Sequence, residues 1–148
     1  MKTHTEKKTD KEKLWSLPYI LLIAFGTLNS ISFYMVNPTV AKYATQIGAS
    51  LTLAGVIAGL FSITALVARP FSGLIADRVN RKALLVIATS GMGLAALGYS
   101  AAGSIPGFVA FRILHGLAFA VRRTVIAALA AALIPPSRLR EGRGSYGL

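Results

Sequence analysis

An all-α membrane protein with four transmembrane helices is the fold class that this 148-residue sequence predicts. Hydrophobic residues make up 54% of the chain and charged residues only 14%, where soluble domains carry about 25% charged residues. The charge is gathered in short clusters, and the runs Tyr43 to Ala68 and Ala83 to Phe111 hold none at all. Proline, glycine and charge signals cut the apolar sequence into four stretches, each long enough to cross about 30 Å of hydrocarbon.

The net charge of +11 raises the possibility of nucleic-acid binding. Its distribution argues against that, because most basic residues lie in three segments that flank apolar runs. There are no cysteines, so neither a disulfide framework nor a thiolate metal site is available. No nucleotide, hydrolase or metal motif is visible, and neither an enzyme nor a cofactor is implied.

Residues 1–13 are polar and lysine-rich and read as a disordered cytoplasmic tail. A signal peptide is the competing reading of lysines before an apolar run, but residues 14–36 are too long for a signal core and no small-residue cleavage site follows. They form the first predicted helix. Its polar residues Asn29, Tyr34 and Asn37 are candidates either for a cavity or for helix–helix hydrogen bonds. Pro38 is expected to end or kink the helix, leaving Val36 to Ser50 as an outer loop. The second helix is expected over 51–71, with Gly55 and Gly59 favouring close helix contact. The third spans 82–102 and is rich in glycine and alanine. The fourth spans 108–134 and stops at Pro135-Pro136. Residues 135–148 read as a cytoplasmic loop. Membrane spans thus occupy residues 14–134.

Between the second and third helices lies Gly73-Leu-Ile-Ala-Asp77-Arg78-Val-Asn80-Arg81-Lys82. So polar a hinge cannot sit in hydrocarbon and marks a membrane surface. Gly73 would let two helices approach, Asp77 could accept hydrogen bonds from a helix N-terminus, and Asn80 tolerates a left-handed turn. Within the fourth helix, Arg112, Arg122 and Arg123 are the costly residues, since a charge at the bilayer centre costs about 2.5–3.5 kcal/mol on insertion scales. Arg112 and Arg123 are close to three turns apart and share a face, whereas Arg122 points about 100° from Arg123. His115 reads first as a helix-contact residue, although an unperturbed imidazole would suit proton exchange.

The hinge resembles the loop signature between helices two and three of the major facilitator superfamily. Gly73, Asp77, Arg78, Arg81 and Lys82 match it, and Asn80 stands where that family usually has glycine. Phe111 to Ala120 resembles the family's fourth-helix signature through Arg112 and Gly116, with His115 in a position often held by glutamine. The resemblance implies a gating role for Gly73, Asp77, Arg78, Asn80, Arg81 and Lys82. It implies proton coupling or a substrate cavity at Arg112, His115, Gly116, Asn29 and Arg123. It also implies a proton-coupled exporter of small molecules, an antiporter of drugs or metabolites, working by alternating access in the cell membrane. The four helices correspond to an incomplete N-terminal half of that fold, so the missing helices or another copy of the chain are expected partners besides lipid, substrate and protons. The alternative is a stand-alone four-helix membrane protein that binds a partner and transports nothing. A small multidrug transporter fits the helix count but requires an acid in the first helix, and Leu14 to Val36 has none.

Orientation follows from counting basic residues. The tail holds five, the Asp77 loop three, and the stretch after Pro136 three (Arg138, Arg140 and Arg143), whereas Lys42 is the one basic residue in the outer loops. This bias puts the N-terminus in the cytoplasm. In a chain without native cysteine, Ala49→Cys should therefore react with an impermeant thiol reagent added outside, and Asn80→Cys should not. The reversed labelling pattern would overturn the orientation.

Overall fold

The computed structural model describes residues 15–135 and 139–146, and among them the only regular elements are five helices. They are α1 (Leu17–Gln46), α2 (Leu51–Arg78), α3 (Arg81–Ala101), α4 (Ile105–Leu133) and the short α5 (Leu139–Tyr146). The first four are long and apolar enough to cross a membrane. The 30 residues of α1, 28 of α2 and 29 of α4 rise about 42–45 Å, so these helices extend beyond a hydrocarbon core of about 30 Å. The 1–13 tail lies outside the described residues.

The connections are shorter than the sequence suggests. Pro38 does not stop α1, which continues to Gln46. Proline removes one backbone donor, a loss that membrane helices tolerate. The reversal is made instead at Gly48, whose φ of 97° is open to glycine. There Gly48 N donates to Thr45 O at 3.1 Å and Ala49 N to Ala44 O at 3.0 Å, which satisfies the last carbonyls of α1. Ser50 then caps α2, its Oγ accepting from Leu53 N at 3.2 Å. Ala49 is 7% exposed, so exposed Gln46, with Val79 on the other side, gives the better cysteine pair for topology mapping.

At the other end α2 runs through Pro70 to Arg78, so Gly73, Asp77 and Arg78 are helical rather than part of a loop. Only Val79 and Asn80 connect α2 to α3. Asn80 takes no left-handed turn: its φ is −58°, and its Oδ1 caps α3 by accepting from Lys82 N at 2.9 Å and Ala83 N at 3.4 Å. Asparagine is as good an N-cap as it is a turn residue, and here the cap prevails. Ser104 caps α4 in the same way, and Pro106 fits its first turn, which starts the helix at Ile105 rather than residue 108. Part of the predicted 135–148 loop is α5, tied back to α1 by the buried Tyr19 hydroxyl, which donates to Gly142 O at 2.8 Å.

α4 is the central helix. It packs against α2 on one side and α3 on another, while α1 lies against α2 and α4. Lipid is as apolar as leucine, so close packing and hydrogen bonds must hold such helices together. At Gly116 of α4 an added Cβ would sit 2.9 Å from the Phe61 carbonyl oxygen and 2.9 Å from Thr64 Cβ of α2. At Gly98 of α3 it would run into the Phe111 ring, and at Gly91 it would lie 3.3 Å from Ala118 Cβ of α4. Ala65, Ala68 and Ala120 extend the close α2–α4 seam. Gly55, Gly59 and Gly73 do not have the role expected of them, since nothing lies within 4 Å of a Cβ built at any of the three. The spacing of Gly55 and Gly59 is right for a contact, but that face of α2 is exposed.

Gly116→Val should therefore force α2 and α4 apart at a cost of about 1–3 kcal/mol. Thermal unfolding in detergent should show a clear drop in Tm for this variant and almost none for Gly59→Ala. Equal Tm values for the two would disprove the close seam.

Candidate functional site

Arg112 stands where all four long helices meet and is 0% exposed. Its guanidinium donates to each neighbour in turn. Nη2 donates to Asn37 Oδ1 of α1 at 2.7 Å and to Ala58 O of α2 at 2.9 Å. Nε lies 3.4 Å from Ile57 O, and Nη1 lies 3.5 Å from the Tyr99 hydroxyl of α3. The Phe61 ring lies against it, with its centroid 4.8 Å from Cζ. All of these partners are neutral. The guanidinium thus has acceptors for its protons, as burial demands, but no counter-ion in contact among the described residues.

The network continues to His115, one turn further along α4 and 4% exposed. Tyr99 OH and His115 Nδ1 are 2.8 Å apart. Arginine can only donate, so the Tyr99 oxygen accepts from Arg112, and the same hydroxyl either donates to Nδ1 or accepts from it according to the imidazole tautomer. The edge of His115 also meets Phe61, with ring centroids 5.2 Å apart and planes at 78°.

Beside His115 is a half-open cleft of about 280 Å³ between α1, α3 and α4. Asn29 lines it from α1 and Met92 from α3. Behind Met92 is Arg122, 5% exposed, whose Nε donates to Met92 Sδ at 3.1 Å. The Phe119 ring centroid lies 5.6 Å from Arg122 Cζ.

The structure brings Arg112, His115 and Gly116 together on α4, with Asn29 across the cleft from His115. It does not bring Arg123 to them, because that residue is exposed. Equal angle is not equal depth: eleven residues separate Arg123 from Arg112 by about 16 Å along the axis. Arg122 is the buried one of the adjacent pair. Tyr34, another cavity candidate, is 73% exposed. The hinge residues are remote, since Ala58 and Asp77 lie 19 residues apart on α2, about 28 Å. Asp77, Arg78 and Lys82 are exposed there and Arg81 is half-buried.

Tyr99 and Phe61 carry the centre of the site and were not legible as such. Tyr99 is the one aromatic of α3 and Phe61 one of two in α2, and nothing in either segment marks it as facing an arginine. Among the described residues, no cluster of His, Asp or Glu is placed to hold a metal.

Because Asn37 and Tyr99 share one guanidinium, their contributions should not be additive with that of Arg112. Asn37→Leu and Tyr99→Phe should each cost about 1 kcal/mol in the native background and almost nothing in an Arg112→Met background. Double-mutant cycles on unfolding in detergent measure this, and additive losses would mean that the network is not coupled.

Residues 22–147 match the family model described as the Major Facilitator Superfamily. Among curated proteins, the chain is similar to an uncharacterised MFS-type transporter of Methanocaldococcus jannaschii, with 30% identity over 127 residues, or 86% of this chain and 32% of that protein. The chain thus spans about a third of the length of that relative. No solved structure matches it. The family is one of transporters rather than enzymes, and its fold is an all-helical membrane fold. With a family match over most of its length and four apolar helices that meet at one buried arginine, this chain is a multi-pass membrane protein and belongs to the major facilitator superfamily.

Proposed function

We propose that these four helices serve a proton-coupled exporter of small molecules that works by alternating access in the cell membrane, with the N-terminus in the cytoplasm. The observation that carries this reading is the fully buried Arg112 at the junction of four membrane-spanning helices. Intramembrane charge is expensive and is characteristic of ion and substrate pathways. The hydrogen-bonded run from Arg112 through Tyr99 to His115 ends on an imidazole beside a cleft. That supports a proton-handling role for His115 next to a fixed positive charge.

The inner ends of α2 and α3 support a gating role for Asp77, Arg78, Arg81 and Lys82. Asp77 is exposed and has no hydrogen-bond or ion-pair partner among the described residues. Its carboxylate is therefore open to a facing helix of a second bundle. Alternating access rocks two bundles about a shared site, which four helices of one bundle cannot do alone.

Two measurements test this reading. The purified 148-residue chain in proteoliposomes should carry no saturable proton or substrate flux. A longer transporter containing these helices should export in a manner abolished by collapsing the proton gradient, and Asp77→Asn should lower that export several-fold with membrane insertion unchanged. Saturable flux through the isolated chain, lost in Arg112→Ala, would replace this reading with an oligomeric transporter. Export indifferent to the proton gradient would remove the coupling.

A further inference from the structure

We propose that Arg69 of α2 and Arg123 of α4 act as a pair that binds a small organic dianion, a dicarboxylate or a phosphate ester, on the face that these helices share with α1. The inference rests on the transporter reading and deepens it by naming a substrate class.

Depth comes first. The partners across the α2–α4 seam advance together, Gly116 with Phe61 and Thr64, Ala120 with Ala65 and Ala68, and Val125 with Ala76, so the two helices run parallel. Arg69 and Arg123 each stand 18 residues after the first residue of their helix, about 27 Å along the axis. They are therefore at one level of the bundle. The far ends of the helices, at Arg78 and Leu133, are about 14–15 Å further on. A charge so far from either end of a spanning helix is costly against lipid and marks a face that meets water, a partner or a ligand.

Direction comes next. Arg69 follows Ala65 by one turn and Arg123 follows Ala120 by one turn, so each lies at a margin of the seam. Both are turned to the same margin. A groove runs along the other one, lined by Val67 and Phe71 of α2 and by Val121 of α4. Arg69 is two residues from Val67 and from Phe71, and Arg123 is two residues from Val121, in each case about 200° around the helix. The margin that carries the arginines is the α1 side, where the Phe33 ring meets Phe61 of α2 and Phe119 of α4. Arg123 is one turn beyond Phe119. Past Phe33, α1 leans toward α3, where its Leu22 packs with Ile126 and Ala130 beside Leu85. It leaves both arginines exposed.

Charge completes the argument. Neither guanidinium has a hydrogen-bond or ion-pair partner among the described residues. The only carboxylates among those residues are Asp77, eight residues and about 12 Å further along α2 than Arg69, and Glu141 on α5. Packed helices run about 8–10 Å apart, a gap that two long side chains at one level can bridge by converging on one ligand. A guanidinium fits a carboxylate or phosphate through paired N–H groups. Two such forks call for two anionic groups, which favours a dianion over a monoanion and repels a cation.

The probes are isophthalate, its monoanionic relative benzoate, the neutral isophthalamide and the dication m-xylylenediamine. They are titrated by calorimetry at pH 7 against the purified full chain in phosphatidylcholine nanodiscs. Isophthalate should bind saturably and at least tenfold more tightly than benzoate, and the neutral and cationic probes should not bind. Arg69→Gln and Arg123→Gln should each weaken isophthalate at least tenfold with Tm unchanged, because neither side chain holds the bundle together. Lys42→Gln, which removes an exposed charge at the other end of the bundle, should change nothing. Isophthalate binding no better than benzoate, or unaffected by either arginine variant, would overturn the inference. Retention of phosphatidylglycerol by the native chain in mass spectrometry, lost in the double variant and with no isophthalate binding, would assign the pair to a lipid phosphate and overturn it too. So would isophthalate binding to this chain that is absent from a longer transporter containing these helices, since a carboxylate of the second bundle would then occupy the pair. Dianion-selective binding without flux in any assembly would sink the transporter reading alone, whereas proton-coupled export of cations with no isophthalate binding would sink this inference alone.

Discussion

A guanidinium without access to water must find an acceptor for its protons, and the four long helices are arranged so that Arg112 does. The side chain leaves α4 and meets an amide on α1, two carbonyls on α2 and a phenol on α3. Leaving a buried donor unsatisfied costs about 1–3 kcal/mol and more for a charged group, so each helix is held in the register that presents its acceptor. The α2 acceptors are main-chain carbonyls, which a helix offers only where its side chains are small enough to let a neighbour in. Ala58 meets that condition. Among the described residues no buried side-chain nitrogen or oxygen is left without a partner.

The same seam depends on what is absent from Gly116. One turn beyond Arg112, α4 passes so close to α2 that a methyl group would touch the Phe61 carbonyl. Phe61 also stacks on the arginine and meets the edge of His115. Packing and polar contacts therefore support each other at one level of the bundle: the close approach at Gly116 brings the α2 backbone within reach of Arg112, and the hydrogen bonds hold the approach. Further along the seam, toward the Asp77 end of α2, alanines take over. The α3 side is built with the same economy of volume, with the Phe111 ring lying over Gly98 and Ala118 against Gly91.

Charge placement divides the molecule. The exposed basic residues Arg78, Lys82 and Arg140 gather near one membrane surface, where water and headgroups solvate them. Arg112 is held inside by neutral oxygens and the face of Phe61, and the partners of buried Arg122 include the Met92 thioether and the Phe119 ring.

Hydropathy alone determined the number of spanning helices and the all-α class, because each span needs about 20 apolar residues whatever its neighbours are. The same local reading singled out Arg112 as a buried charge and placed Arg122 and Arg123 on different faces, since helix geometry needs no partner to define it. It misplaced the ends of helices, taking Pro38 for a stop and Asn80 for a left-handed turn, where a proline tolerated in lipid and an N-cap were at work. Tertiary structure decided the rest. Which glycines are contacts, why Gly116 is one and Gly59 is not, and why Arg112 is buried while Arg123 is exposed all depend on which helix lies alongside. Tyr99 and Phe61 joined the site for the same reason. A residue's angle on its own helix is a local property, but its surroundings are set by other helices, and no spacing within one segment records them.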